Sequence, residues 1–182
     1  MRIENLLGHE HYGYLLGKLD HPGVAWYFAE TTANTFDKKL PFHSSFSHLI
    51  FKNDTGPISE LFESTFPILL TALDRQGKTL KELIRIRMGL ITRTPYKVVH
   101  APHKDGNVAH MTGLFYLTDA DGETVVYNET EESKDYTVKE KLTPKANTWH
   151  QFDGAHYHSS SAPLNFEKRI TLTFNYLTTD HK

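Results

Sequence analysis

His103-Lys104-Asp105 sets an imidazole and a carboxylate two residues apart, and His158 lies fifty-five residues further on. Two histidines and one carboxylate can occupy one face of an octahedral metal and leave three positions open, a ligand set that suits iron(II) together with dioxygen. In an extended segment residues i and i+2 point the same way. His103 and Asp105 can therefore address one ion while Lys104 points away. Arg169, eleven residues past His158, adds a permanent cation with a planar donor fork, the group best shaped to clamp a carboxylate. Beside such a metal it would hold a dicarboxylic co-substrate. A His-x-Asp pair alone is a common chance match; the four residues together are far more specific.

The rest of the composition narrows the chemistry. The chain has no cysteine, which excludes disulfides, thiolate metal sites and cysteine nucleophiles, so a metal must be held by His, Asp or Glu. No Gly-x-Ser-x-Gly elbow is present for nucleophilic hydrolysis. The net charge is −2 and the basic residues are dispersed, which argues against a nucleic-acid footprint. The acidic run Asp119, Asp121, Glu129, Glu131 and Glu132 lacks calcium-loop spacing and reads as surface. No apolar run approaches the roughly 20 residues of a membrane helix. The start, Met1-Arg2-Ile3-Glu4-Asn5, lacks the basic-then-apolar pattern of a signal peptide, so a cytoplasmic location is expected.

Histidine is over-represented, with twelve. Five (His9, His11, His21, His43, His48) are scattered early. His100, His103 and His110 form one group, His150, His156 and His158 another, and His181 is in the tail. His150 is expected to pack beside Trp149, and His100 and His110 to play structural roles around the first motif.

The elements that must position these groups read as follows. At 182 residues the chain suits a single domain over 1–182. Asn5 to Leu19 reads as a short helix, Val24 to Ala29 and Phe46 to Phe51 as strands. Thr55-Gly56-Pro57 opens a helix with Ile58, Leu61, Phe62, Phe66, Leu69, Leu70 and Leu73 on its apolar face. Pro67 either kinks it or starts a second helix, and Gly77 stops it. From Leu83 the period changes to two: Ile84, Ile86, Met88 and Leu90 alternate with Arg85, Arg87, Gly89 and Ile91. A turn at Asp119-Ala120-Asp121-Gly122 joins strands at Met111 to Thr118 and Thr124 to Tyr127. One or two more strands lie within Lys139 to Phe152.

In the last strand Ile170, Leu172, Phe174 and Tyr176 alternate with Arg169, Thr171, Thr173 and Asn175. About six to eight strands with irregular connections predict a mainly β (α+β) chain, a jelly-roll barrel of the double-stranded β-helix type. Residues 1–80 would buttress it with helices and strands, and residues 83–179 would form its core. Alternation alone leaves two phases for the last strand: a solvated polar face, or Ile170, Leu172 and Phe174 against helices with Arg169, Thr171 and Asn175 lining a cavity. Arg85 and Arg87 pose the same choice. They are solvated charge, or they face the barrel, where Arg87 would contact substrate or co-substrate.

Residues from about Leu83 to Tyr176 resemble the iron(II)/2-oxoglutarate-dependent dioxygenases, in particular the prolyl 4-hydroxylase-like branch. The landmarks are His103-Lys104-Asp105, Leu114-Phe115-Tyr116-Leu117, Asp121-Gly122-Glu123-Thr124, Leu142-Thr143-Pro144-Lys145, Phe152-Asp153-Gly154 and Arg169-Ile170-Thr171. The resemblance implies iron(II) on His103, Asp105 and a late histidine. It also implies 2-oxoglutarate held by Arg169, Thr171 and Tyr116, with dioxygen as co-substrate and ascorbate as an optional reductant. Strand direction does not separate His156 from His158; the family's spacing from the Asp-Gly turn and to the arginine favours His158. Where relatives often have two glycines before Glu-Thr, this chain has Asp121-Gly122.

The implied activity is hydroxylation of an unactivated C–H. Peptidyl proline leads by analogy, with amino acids, small metabolites and nucleobases as other substrates, so the partner is a small-molecule or peptidyl substrate and not a membrane. Two rivals remain. One is a cupin-like metal protein without 2-oxoglutarate turnover, which needs no Arg169. The other is a non-catalytic jelly-roll binding module, which would tend to have lost a ligand.

Overall fold

A computed structural model of the chain describes residues 1–32 and 40–180. Residues 33–39 of the N-terminal segment and His181 lie outside the described residues. In chain order the elements are β1 (Arg2–Ile3), α1 (His9–Leu19), β2 (Tyr27–Ala29), β3 (Ser45–Lys52), β4 (Gly56–Pro57) and α2 (Phe62–Asp74). They continue with β5 (Lys78–Thr92), β6 (Met111–Tyr116), β7 (Thr124–Tyr127), β8 (Val138–Leu142), β9 (Thr148–Asp153), β10 (His158–Ser160) and β11 (Lys168–Asp180).

Both helices are shorter at their N-termini than periodicity suggests, and for the same reason: the preceding residues are already bonded elsewhere. Asn5 takes a positive φ of 48°. Leu6 N–H then donates to the Asn147 carbonyl and Leu7 N–H to Asn147 Oδ1, both at 3.0 Å, so α1 begins at His9. Gly56-Pro57, expected to open the second helix, instead pairs with β3 as β4, and α2 begins at Phe62. Ile58 and Leu70, expected on its apolar face, are 51% and 42% exposed. Pro67 sits inside one continuous helix. It forfeits a backbone bond and costs about 3 kcal/mol, offset by burial of Thr65, Ile68, Leu69, Ala72 and Leu73. Gly77 does stop the helix, at φ 62°, a conformation that glycine adopts at little cost.

Among the described residues eleven strands form, more than expected, because pairings as short as β1 and β4 leave no periodic trace. They make two antiparallel sheets. The larger runs β1-β9-β6-β11-β5-β3-β2 with β4 on β3, and the smaller runs β10-β7-β8. The turn at Asp119 to Gly122 therefore does not close a hairpin: β6 pairs with β9 and β11, whereas β7 pairs with β8 and β10. The turn carries the chain from one sheet to the other, as a jelly roll requires. β5 begins at Lys78, so the expected boundary near residues 80–83 falls inside a strand.

The two faces of the larger sheet are sharply different. Its outer face packs on the helices: Phe115, Trp149, Ile170, Leu172, Phe174 and Tyr176 share one buried cluster with Leu15, Leu19, Ile68 and Leu69. Tyr12 on α1 ties the layers together by donating to the Leu117 carbonyl at 2.6 Å. Gly113 is needed here, because a Cβ at that position would lie 2.2 Å from the Trp149 ring. The inner face meets the smaller sheet through Leu114, Tyr116, Val126, Leu142 and Phe152. Ile91, Val98 and Ala162 form another small apolar cluster, and the space that remains between the sheets is lined in part by His103, Asp105, His158, Arg169 and Thr171. Among the described residues no helix is long and apolar enough to cross a membrane.

Candidate metal and co-substrate site

His103 stands in no named strand, yet it is fixed as if it did. The His103 N–H donates to the His158 carbonyl and the His158 N–H to the His103 carbonyl, both at 2.9 Å. This reciprocal bridge extends the small sheet past β10 and brings the two imidazoles to 4.5 Å between ring centres. Asp105 follows two residues on. One ligand atom from each of His103, Asp105 and His158 lies within 4.8 Å of the others, and His158 Nε2 is 3.9 Å from Asp105 Oδ2. His103 Nδ1 is 3.2 Å from the Ala101 carbonyl, and His158 Nδ1 is 3.4 Å from the His156 carbonyl. With Nδ1–H donating in each ring, both Nε2 atoms keep a lone pair for a metal, the usual way a protein fixes a ligand tautomer.

His156 is in the turn before β10, with Nε2 2.7 Å from Lys139 Nζ, and is not part of the cluster. His110 packs its ring over Gly154, where a Cβ would meet it at 2.3 Å. His150 does not pack beside Trp149. The two point to opposite faces of β9, and His150 lies edge-on to Tyr116 at 5.6 Å. His100 Nδ1 is 2.8 Å from the Ser160 carbonyl.

The electrostatics favour a charged carboxylate between neutral imidazoles. Burial pushes His103 down to about 4, with His158 adding to the effect, and burial also lowers His158. For Asp105 burial acts in the opposite sense, but its neighbours His158, Arg85 and Arg87 outweigh it and hold the carboxyl well below its ordinary range, and with the imidazoles neutral the standing positive charge is that of the two guanidiniums. Arg85 and Arg87 are not solvated surface charge. Both face the space between the sheets, and Arg85 Nη2 donates to Asp105 Oδ1 at 2.6 Å. Asn175 Nδ2 donates to Asp105 Oδ2 at 3.0 Å and Arg85 Nε to Asn175 Oδ1 at 2.9 Å. Arg85 and Asn175 therefore orient the carboxylate from one side. The spacing of His-x-Asp could not reveal them, because they arrive from β5 and β11.

Register explains how Arg169 reaches the same space. On β11, Arg169, Thr171, Thr173 and Asn175 stand opposite Ile91, Gly89, Arg87 and Arg85 of β5, and alternation turns all four inward. Of the two phases left open by the sequence, the cavity-lining one is observed. A narrow cavity of about 70 Å³ runs between His103, Asp105 and His158 at one end and Arg169, Thr171 and Thr124 at the other. Arg169 is 5% exposed. Its Nη2 donates to Thr124 Oγ1, and its guanidinium lies 5.4 Å from the centre of the Tyr116 ring. The Tyr116 hydroxyl also donates to Thr124 Oγ1, at 2.8 Å, so Tyr116 stands one layer behind the cavity wall and Thr124 is the residue that lines it. Thr124 belongs to the Glu123-Thr124 landmark, which suggested a turn and gave no hint of this role.

Two atoms at the Arg169 end are buried without a partner among the described residues, Arg169 Nε and Thr171 Oγ1. Leaving such groups unpaired costs about 1–3 kcal/mol each. A carboxylate with several lone pairs would satisfy both, so the donors present fit a dicarboxylic acid whose other end reaches the three-residue cluster.

No protein-family model matches the sequence, and no curated relative matches it. Solved structures do match its fold. An oxidoreductase of the 2OG-Fe(II) oxygenase family from Burkholderia pseudomallei is 14% identical with a TM-score of 0.65, over 97% of this chain and 84% of that one. A prolyl hydroxylase from Trichoplax adhaerens, in complex with a peptide fragment of the hypoxia inducible factor oxygen degradation domain, is 15% identical with a TM-score of 0.58, over 97% and 82%. HygX from Streptomyces hygroscopicus, with nickel and 2-oxoglutarate bound, is 11% identical with a TM-score of 0.60, over 97% and 81%. The double-stranded β-helix of this chain is the fold of these three structures.

Proposed function

We propose that this protein is an iron(II)- and 2-oxoglutarate-dependent dioxygenase that hydroxylates an unactivated C–H bond. The observation that carries the reading is that one cavity joins His103, Asp105 and His158 to a buried Arg169 whose Nε has no acceptor among the described residues. When bound, iron(II) would let dioxygen act as the oxidant, one oxygen atom going to the C–H bond and the other to 2-oxoglutarate, which would leave as succinate and carbon dioxide. The chain's own contribution is placement. His103, Asp105 and His158 would hold the metal, with Arg85 and Asn175 keeping Asp105 anionic and aimed. Arg169 and Thr171 would take the far carboxylate of 2-oxoglutarate, with Thr124 beside them. Tyr116 would hold Thr124 and Arg169 in place from behind. The larger sheet and its helices keep water from the Arg169 end.

A cupin-like protein without 2-oxoglutarate turnover gives no account of a buried, under-satisfied Arg169, and a non-catalytic module gives none for a retained ligand triad. HygX, with nickel and 2-oxoglutarate on the same fold, supports the co-substrate assignment. The test is succinate formation from 2-oxoglutarate with iron(II) supplied anaerobically before air. The wild type should turn over slowly even without its substrate. Arg169→Ala should raise the 2-oxoglutarate concentration needed by about a hundredfold, the scale for truncating one partner of a buried charge pair. Iron-loaded, folded protein that makes no succinate overturns the reading.

A further inference from the structure

Arg85 and Arg87 stand two residues apart on β5 and face the same space, yet among the described residues only Arg85 has a hydrogen-bonded partner. Arg85 is committed to Asp105 and Asn175. Arg87 has no hydrogen bond or ion pair with any of the described residues, and its Nε is buried without an acceptor. A guanidinium with a buried, unpaired Nε, and with only the field of an Asp105 already bonded to Arg85 to balance it, is costly to keep, so its position matters. Arg87 lies where the narrow cavity opens into a wider mouth of about 490 Å³, and it lines both together with Thr32, Ser47, His103 and Asp105.

The remaining charges of that mouth do not satisfy it. Arg85 and Asp105 neutralise each other. Lys104 donates to the Thr130 carbonyl at 3.0 Å and lies 5.3 Å from the centre of the Tyr157 ring. Glu132 is on the exposed rim. The mouth also has an aromatic wall, Tyr136 and Tyr157, with ring centres 5.2 Å apart. Its volume is within the range of roughly 300–1,000 Å³ typical of small-molecule sites.

The geometry points to a substrate class: a small carboxylic acid whose carboxylate pairs with Arg87 and whose apolar body lies against Tyr136 and Tyr157. One free guanidinium balances one negative charge; a phosphate monoester, at about −1.5 to −2, would be left under-compensated. The inference rests on the dioxygenase reading for what happens to the acid, and on Arg87 alone for its binding.

Matched pairs of N-acetyl amino acids and their carboxamides test it, because each pair differs little in shape and by one charge. Binding is followed by ligand-observed NMR on zinc-loaded protein with 2-oxoglutarate present, for the wild type, Arg87→Gln and Arg87→Lys. In the wild type, acids should bind at least about tenfold more tightly than their amides, the scale of a charge-assisted hydrogen bond. Arg87→Gln should erase that difference and leave 2-oxoglutarate affinity within about twofold, with Arg87→Lys intermediate because it keeps the charge and loses the fork. Acids and amides binding alike to the wild type would overturn the inference. So would a loss of 2-oxoglutarate binding in Arg87→Gln as large as that of the acids, which would assign Arg87 to the co-substrate. Binding of acidic peptides where free acids do not bind would replace the small acid by a chain. If 2-oxoglutarate fails to bind while the acid–amide difference persists, the dioxygenase reading falls and this one stands.

Discussion

β11 presents two surfaces that obey opposite rules. Ile170, Leu172, Phe174 and Tyr176 turn outward into a dry layer of helices and aromatic rings. Arg169, Thr171, Thr173 and Asn175 turn inward to a cavity where Arg169 Nε and Thr171 Oγ1 have no partner among the described residues. The outer surface gains stability from close packing. The inner one keeps desolvated donors waiting, and such donors are useful only if something arrives to accept from them. One strand thus provides both the rigidity of the fold and the polarity of the site, which is how a site can be held without loops of its own.

Substitutions on the two faces should separate cleanly. The largest effect is expected at the candidate metal site, His103, Asp105 and His158. His103→Ala should weaken iron(II) binding by about a hundredfold or more, above the 10–100-fold typical of losing a supporting residue, with the circular dichroism spectrum unchanged. Metal content after dialysis against a weak chelator checks this; retained iron would break the assignment. On the opposite face, Phe174→Ala should cost about 3–5 kcal/mol of unfolding free energy while the folded fraction keeps its succinate rate. Equal loss of rate and stability would mean that the faces are coupled. Gly113→Ala pushes a methyl group into Trp149 and should cost about 1–3 kcal/mol, read from the denaturant midpoint.

The smallest effect is in pH dependence. Burial, aided by His43, holds His100 down to about 4; burial, aided by Arg2 and the N-terminal ammonium, does the same for His150. Unfolded histidine titrates near 6.5. Below that the unfolded chain takes up protons that the folded chain refuses, so stability complete above about pH 6.5 should fall as pH approaches 4. The thermal midpoint of the metal-free protein should drop between pH 7 and pH 5, and less steeply in His150→Leu. A flat profile would place both rings in contact with water.

Much of the site was legible because its determinants are local in sequence. His-x-Asp fixes two side chains on one side of an extended segment wherever that segment goes. The alternation of β11 fixes Arg169, Thr171 and Asn175 on one face whatever they meet. Gly77 ends its helix for reasons contained in its own backbone. Helix starts were misjudged where neighbours intervened, since Asn147 captures the residues before α1 and β3 captures those before α2.

What tertiary structure alone decided is every choice between equivalent faces and partners. His156 and His158 differ in fate because the bridge to His103 starts at His158. The turn after β6 changes sheets instead of closing a hairpin, because β11 and β9 already occupy both edges of β6. Arg85 became the carboxylate's partner because the register sets it opposite Asn175, whereas Arg87 stands opposite Thr173 and has no bonded partner among the described residues. A strand's period is written in its own residues, whereas its register is written in another strand, far away along the chain.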